Sequence, residues 1–285
     1  MPSQIIQWFP GHMAKTKRLI AESLSSVDCI IEVLDARLPL SSANPELDRL
    51  ICGKPLLKLF SKTSLADPVK TAAWKQYFSE KGVGCVFIDT VDGTGYDRIM
   101  PAIRVLLQEK IERNTEKGMS GKALRAMVVG IPNAGKSSLI NKLAGAKKAK
   151  VEDRPGVTLS KQWVTTSIGL ELLDMPGVLW PKFEDQSVGM KLAFTGAVKD
   201  DILDLNELAC RLVGCLRETY PALLMTRYKL KEEDLCPDNY ELLQKIGRKR
   251  GFLISGGEID DDRTSKILLD EFRGGKIGRI TLENP

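Results

Sequence analysis
Gly130-Ile131-Pro132-Asn133-Ala134-Gly135-Lys136-Ser137 follows the apolar run Ala126-Met127-Val128-Val129 and opens a helix-forming stretch, Lys136 to Ala144. This is a G-x-x-x-x-G-K-S spacing in the strand–turn–helix setting that gives it meaning. Glycines let backbone N–H groups close around phosphate oxygens, and the helix N-terminus adds the positive end of its dipole. The spacing therefore predicts a phosphate cradle. Its nucleotide-facing residues are Asn133, Ala134, Gly135, Lys136, Ser137 and Ser138, with Lys136 reaching the terminal phosphates and the Ser137 hydroxyl on Mg²⁺.

On the N-terminal side, Cys29 to Leu34, Leu56 to Phe60 and Cys85 to Ile88 are short apolar runs of the kind buried parallel strands carry. Helical segments separate them at Ala14 to Ser25, Pro68 to Lys81 and, as one long stretch, Gly95 to Lys117. Another strand is expected to end at Leu170-Glu171-Leu172-Leu173. Strands alternating with helices predict an α/β fold with a doubly wound sheet over residues 1–184. From residue 185 to 285 the pattern is helical. Asp204 and Asp238 stand three residues ahead of Glu207 and Glu241 as capping boxes would require, and Gly251 and Gly274 follow basic last turns. A second, helical domain is expected there.

The chain has 285 residues, 43% hydrophobic and 28% charged, with a net charge of +5, as a globular protein with a sizeable core would. That mild basicity permits a nucleic-acid partner without requiring one. Six cysteines without a C-x-x-C pair and a single histidine argue against a zinc site and for reduced thiols. The N-terminus lacks a signal-peptide pattern, and no apolar run approaches the ~20 residues that span a bilayer, so a cytoplasmic protein without a membrane partner is expected.

Asp174-Met175-Pro176-Gly177 closes the last strand as a D-x-x-G element. By resemblance to GTPases, Asp174 would hold Mg²⁺ through water and the Gly177 amide would contact the γ-phosphate. Thr158, in Asp153-Arg154-Pro155-Gly156-Val157-Thr158, is the natural switch threonine for the same metal. An Asn-Lys-x-Asp base motif is absent downstream. Its best candidate lies upstream, at Ser61-Lys62-Thr63-Ser64, with Asp89 and Thr90 where a short base-contacting loop would fall. The order reads as a GTPase cut and rejoined, base motifs first.

With Gln7-Trp8-Phe9-Pro10-Gly11-His12-Met13, Asp35-Ala36-Arg37, the phosphate loop, Asp153-Arg154-Pro155-Gly156 and Trp180-Pro181-Lys182-Phe183-Glu184, the chain resembles, over essentially its full length, the circularly permuted GTPases of bacterial large-subunit ribosome assembly, the ribosome biogenesis GTPase A family. The resemblance implies binding of GTP and GDP, GTP hydrolysis, and a helical C-terminal domain contacting the rRNA of an immature large (50S) subunit. It assigns His12 to placing the attacking water, since Val178 after Gly177 has no hydrogen-bonding side chain; a structural histidine is the other reading. Asn133 at its loop position marks possible use of K⁺, or is a turn residue after Pro132.

One departure stands out. Ser61 and Ser64 occupy the Asn and Asp places of the family's base motif. A hydroxyl cannot match the paired, charged acceptance of a carboxylate, so weakened guanine selectivity is expected. Basic residues gather at Lys15, Lys17 and Arg18, and at Lys245, Arg248, Lys249, Arg250, Lys266, Arg273, Lys276 and Arg279, as rRNA contacts or as solvated helix faces. An RNA-binding scaffold of altered nucleotide specificity is the alternative to a GTPase switch, and an ATPase a third reading.

Overall fold
The computed structural model describes residues 10–119, 121–145, 162–177, 179, 183 and 185–285, with side chains from residue 16 onward. Thr158, Val178, the Asp153–Gly156 segment, Trp180–Lys182 and Glu184 lie outside the described residues. So does the side chain of His12, although its backbone belongs to helix α1 (Pro10–Ser23).

Among the described residues six strands form one sheet in the order β3-β2-β1-β4-β6-β5. They are β1 (Cys29–Asp35), β2 (Leu56–Ser61), β3 (Cys85–Phe87), β4 (Leu124–Gly130), β5 (Gln162–Thr165) and β6 (Leu170–Asp174). All neighbours run parallel except β5, which pairs antiparallel with β6. β1 is buried at every position because both faces of the sheet are covered. Alternate residues therefore point into different cores. Ile31 and Val33 join Val128 and Leu172 on one face, over α4 (Ile99–Leu106) and α6 (Lys136–Ala144). Ile30, Met127 and Leu173 face α1 and the short α2 (Leu47–Leu50) on the other. There Leu34, Phe60 and Phe87 also meet Trp74 and Phe78 of α3 (Pro68–Glu80).

The long helix expected from Gly95 to Lys117 is two helices, α4 and α5 (Gln108–Glu116), parted at Leu107, whose φ of −111° and ψ of 17° leave the helical region. β5 was not expected, since only Val164 of its four residues is buried and the others leave no apolar run.

The described C-terminal residues carry the helices α7 (Gln186–Phe194), α8 (Leu205–Thr219), α9 (Pro221–Tyr228), α10 (Asn239–Arg250) and α11 (Asp261–Arg273). Asp204 and Asp238 are N-caps, accepting backbone N–H bonds from Asn206 and Glu207 and from Glu241 respectively. Gly251 ends α10 in the left-handed region, while Gly274 keeps a φ of −84° and Gly275 makes the turn at +70°. Buried residues of these helices, such as Leu192, Phe194, Leu212 and Leu268, belong to the same hydrophobic cluster as Val33 and Leu139.

Candidate functional site
Three loops meet at the carboxyl ends of the central strands, where parallel sheets place their ligands. The first follows β4. Gly130, at φ +149°, lies so close to β1 that a Cβ on it would sit 2.4 Å from the Val33 carbonyl oxygen, so no larger residue fits. Asn133 takes φ +58°, Gly135 caps α6, and Lys136 is its first residue. The Lys136 ammonium is buried and folds back to donate to the carbonyls of Gly130 (3.0 Å) and Ile131 (2.8 Å). Ser137 and Ser138 are half-buried on the first turn of α6, and Ala134 is buried.

The second loop follows β6. A Cβ on Gly177 would come within 3.1 Å of Pro132, so the D-x-x-G element abuts the phosphate loop. Asp174 is buried, and its Oδ1 has no hydrogen-bond partner among the described residues. Burial pushes its carboxyl up to about 6 despite the pull of Lys136. The same burial draws Lys136 down to about 8, with Asp174 pulling back. Each charge lies in a dry place that its neighbour only partly compensates. An orphaned carboxylate oxygen suits a hard cation or its bound water, and a desolvated ammonium suits a polyanion.

The third loop follows β2 and holds Ser61-Lys62-Thr63-Ser64. Ser61 is buried, and its hydroxyl donates to the Ala134 carbonyl of the phosphate loop; its Oγ also lies 3.0 Å from the Leu34 carbonyl oxygen. Lys62, at φ +59°, donates to the Asn133 carbonyl and to Asp35 Oδ2 (3.1 Å). The Ser64 N–H donates to Asp89 Oδ2 at 2.7 Å, while Asp89 Oδ1 takes the Val91 N–H at 2.8 Å. Asp89 is thus a buried carboxylate knitting the β2 and β3 loops together, with Thr90 half-buried beside it.

Behind Lys62 lies a group whose role the sequence did not reveal. Asp35 accepts from Arg37 N (3.0 Å), Nε (2.9 Å) and Nη2 (2.8 Å) besides the half-buried Lys62, with Asp35 and Arg37 both buried. Burial opposes its charge, but the Arg37 guanidinium and Lys62 outweigh that and hold the carboxyl well below its usual range. Arg37 also donates to the Arg273 carbonyl at 3.3 Å and lies over the Phe272 ring, 5.5 Å from its centroid. The Asp-x-Arg spacing at the end of a buried strand was the available signal.

The helical part touches the site directly. Asn133 Nδ2 donates to the Gly196 carbonyl at 2.7 Å. Several cations grouped on sequence as RNA contacts are engaged by partners within the protein. Arg273 makes a two-pronged ion pair with Asp200 (2.7 and 2.8 Å), and Arg279 donates to the Ala66 (2.9 Å) and Thr63 (3.0 Å) carbonyls. Arg250 pairs with Glu271 (3.1 Å) and Lys245 with Glu241 (3.1 Å). Arg248, Lys249, Lys266 and Lys276 are exposed.

Comparison with known proteins agrees with this arrangement. The family model described as "50S ribosome-binding GTPase" matches residues 125–221. The chain is 49% identical over 281 residues to "Ribosome biogenesis GTPase A" of Bacillus cereus, covering 99% of this chain and 94% of that one. Among solved structures it is similar to GNP-bound YlqF from T. maritima, with a TM-score of 0.64 and 25% identity over 95% of this chain and 98% of that one. A GDP-bound structure of TM YlqF matches with a TM-score of 0.67 and 26% identity, over 94% and 99% of the two chains.

Proposed function
This chain belongs to the Ribosome biogenesis GTPase A family, and from that premise we propose that it acts as a Mg²⁺-dependent GTP switch on the immature 50S subunit, in the cytoplasm. It is a GTPase of ribosome assembly. One observation carries the finer reading: next to the phosphate loop Lys136 is buried, and the buried Asp174, whose charge acts on it, has an oxygen without a hydrogen-bond partner among the described residues.

In this reading Lys136 leaves the Gly130 and Ile131 carbonyls to bind terminal phosphate oxygens. The loop amides from Asn133 to Ser138 wrap the phosphates, and the Gly177 amide faces the γ-phosphate. Ser137, Thr158 and Asp174 are the residues that would hold Mg²⁺, which neutralises charge at the transferred phosphoryl group when bound. His12 orients the attacking water, a task Val178 has no side-chain group to perform. Lys62 and the Ser61–Ser64 loop face the base, with Asp89 and Thr90 alongside, and serine in place of the base-reading carboxylate weakens guanine selectivity. Asn133 marks a K⁺ requirement. Arg248 and Lys249 lie on the face that meets rRNA. A nucleotide-indifferent scaffold is not favoured, because the phosphate-binding residues are retained.

Calorimetric titration with Mg-GTP and Mg-ATP tests this reading. Heat of binding is expected for the parent and none for Lys136→Ala. Absence of heat with either triphosphate at millimolar Mg²⁺ and K⁺ would sink it. Single-turnover hydrolysis with purified large subunits should fall strongly in His12→Ala while nucleotide binding persists, and should run faster in KCl than in NaCl. Charge reversal at Arg248 and Lys249 should reduce co-sedimentation with a large-subunit precursor.

A further inference from the structure
After α11 the chain does not trail away. It runs back across the lip of the sheet and fastens to the loop that follows β2. Arg279 Nε donates to the Ala66 carbonyl (2.9 Å) and Nη2 to that of Thr63 (3.0 Å). The Ile280 N–H donates to the Leu65 carbonyl at 2.9 Å, and the Asp67 N–H to Thr281 Oγ1 at 3.0 Å. Gly275 presses so closely on Leu65 that a Cβ there would stand 2.6 Å from its Cδ2, at a φ of +70°.

The far end of this strap is pinned as well. The Leu282 N–H donates to the Arg37 carbonyl at 3.0 Å. The buried Glu283 carboxylate accepts the Leu40 N–H (2.7 Å) and pairs with Lys191 (3.2 Å).

The loop needs such support. Lys62 holds a left-handed backbone, which costs a side-chain-bearing residue about 1–3 kcal/mol and persists only where surroundings over-determine it. Asp35 and the Asn133 carbonyl fix the Lys62 ammonium from one side, and Asp89 fixes the Ser64 N–H. The carbonyls of Thr63, Leu65 and Ala66 all accept from the strap. With serine at position 64, the loop offers no carboxylate to order itself around a base.

We propose that Arg279 is a positioning residue for base recognition, holding Ser61–Ser64 in the shape that meets the purine. This rests on reading that segment as the base-facing loop. It follows that nucleotide choice depends on a residue of the C-terminal tail, far in sequence from every nucleotide motif.

The test uses the full chain and calorimetry with Mg-GTP and Mg-ATP, in the parent and in Ser64→Asp. Arg279 is exposed, so Arg279→Ala should fold with a melting temperature near the parent's. With both of its bonds to the loop gone, it should raise the GTP dissociation constant roughly tenfold in the Ser64→Asp background, equivalent to one base hydrogen bond of about 1.4 kcal/mol. ATP affinity should not move, and Arg279→Lys should recover part of the effect. If GTP and ATP affinities fall together, or neither falls, Arg279 does not position the base loop. If Ser64→Asp alone leaves GTP affinity unchanged, the base-loop reading has failed and this proposal falls with it. A gain in Ser64→Asp that survives Arg279→Ala overturns the role of Arg279 alone.

Discussion
Asp35→Asn is the most incisive change available outside the nucleotide motifs, because it keeps shape and removes one charge. The native carboxylate receives three hydrogen bonds from Arg37 and one from Lys62, and the Asp35 and Arg37 side chains are each only 2% exposed. In the variant one oxygen becomes an NH₂ that faces other donors, and the guanidinium is left charged in a dry site. Lys62 is 23% exposed and regains water more easily. Breaking a buried ion pair from one side costs about 3–5 kcal/mol. At about 2–4 °C per kcal/mol, a chain of this size should melt roughly 6–20 °C lower. Circular dichroism melts without nucleotide would measure it. The sign of the pH dependence follows from the depressed carboxyl. Its contribution is complete above the unfolded value of about 3.9 and is lost as pH falls through the lower folded value. The difference between parent and variant should therefore stay flat from about pH 8 to 5 and shrink only in stronger acid. A melting point within ~2 °C of the parent, or a difference that vanishes already at pH 5, would refute the reasoning.

Leu212→Ala removes a fully buried side chain from the middle of α8, and should lower stability by about 2–5 kcal/mol in a urea titration. Glu271 gathers Arg227 Nε (2.9 Å), the Tyr228 hydroxyl (2.9 Å) and Arg250 (3.1 Å), so Glu271→Ala should cost about 3 kcal/mol, read as an earlier loss of helical signal. Among the thiols, exposed Cys52 should react first with a disulfide reagent. Cys29 should stay silent until unfolding, since burial pushes its thiol up to about 12. Prompt modification of Cys29 in the native protein would contradict that.

What the sequence made legible was whatever rests on local periodicity. β1, β2, β4 and β6 are apolar runs, and the phosphate loop is a motif of fixed spacing, so strand, turn and helix were all readable. β5 was not, because a four-residue edge strand with one inward side chain has no pattern to distinguish it from a loop. The break at Leu107 carries neither proline nor glycine, so nothing in the helical pattern marks it. The tail was hidden for a different reason. Arg273 and Arg279 look like surface charges when counted along the chain, and only tertiary contact turns them onto Asp200 and the Thr63 and Ala66 carbonyls. Likewise the sequence placed Ser61 at the Asn position of a base motif, but not its hydroxyl against Ala134.

The shared interior of the two halves bears on how this protein can be dissected. Phe194, Leu212 and Leu268 lie in one apolar cluster with Val33 and Leu139. A stop codon after residue 184 would therefore open a seam rather than free an autonomous piece. Each Leu or Phe stripped of its cover forfeits about 1.5–3 kcal/mol, more than a marginally stable remnant tolerates over several positions. Severed fragments should clump or be degraded, and recombining them would have to restore the dry joint before either half regained its shape.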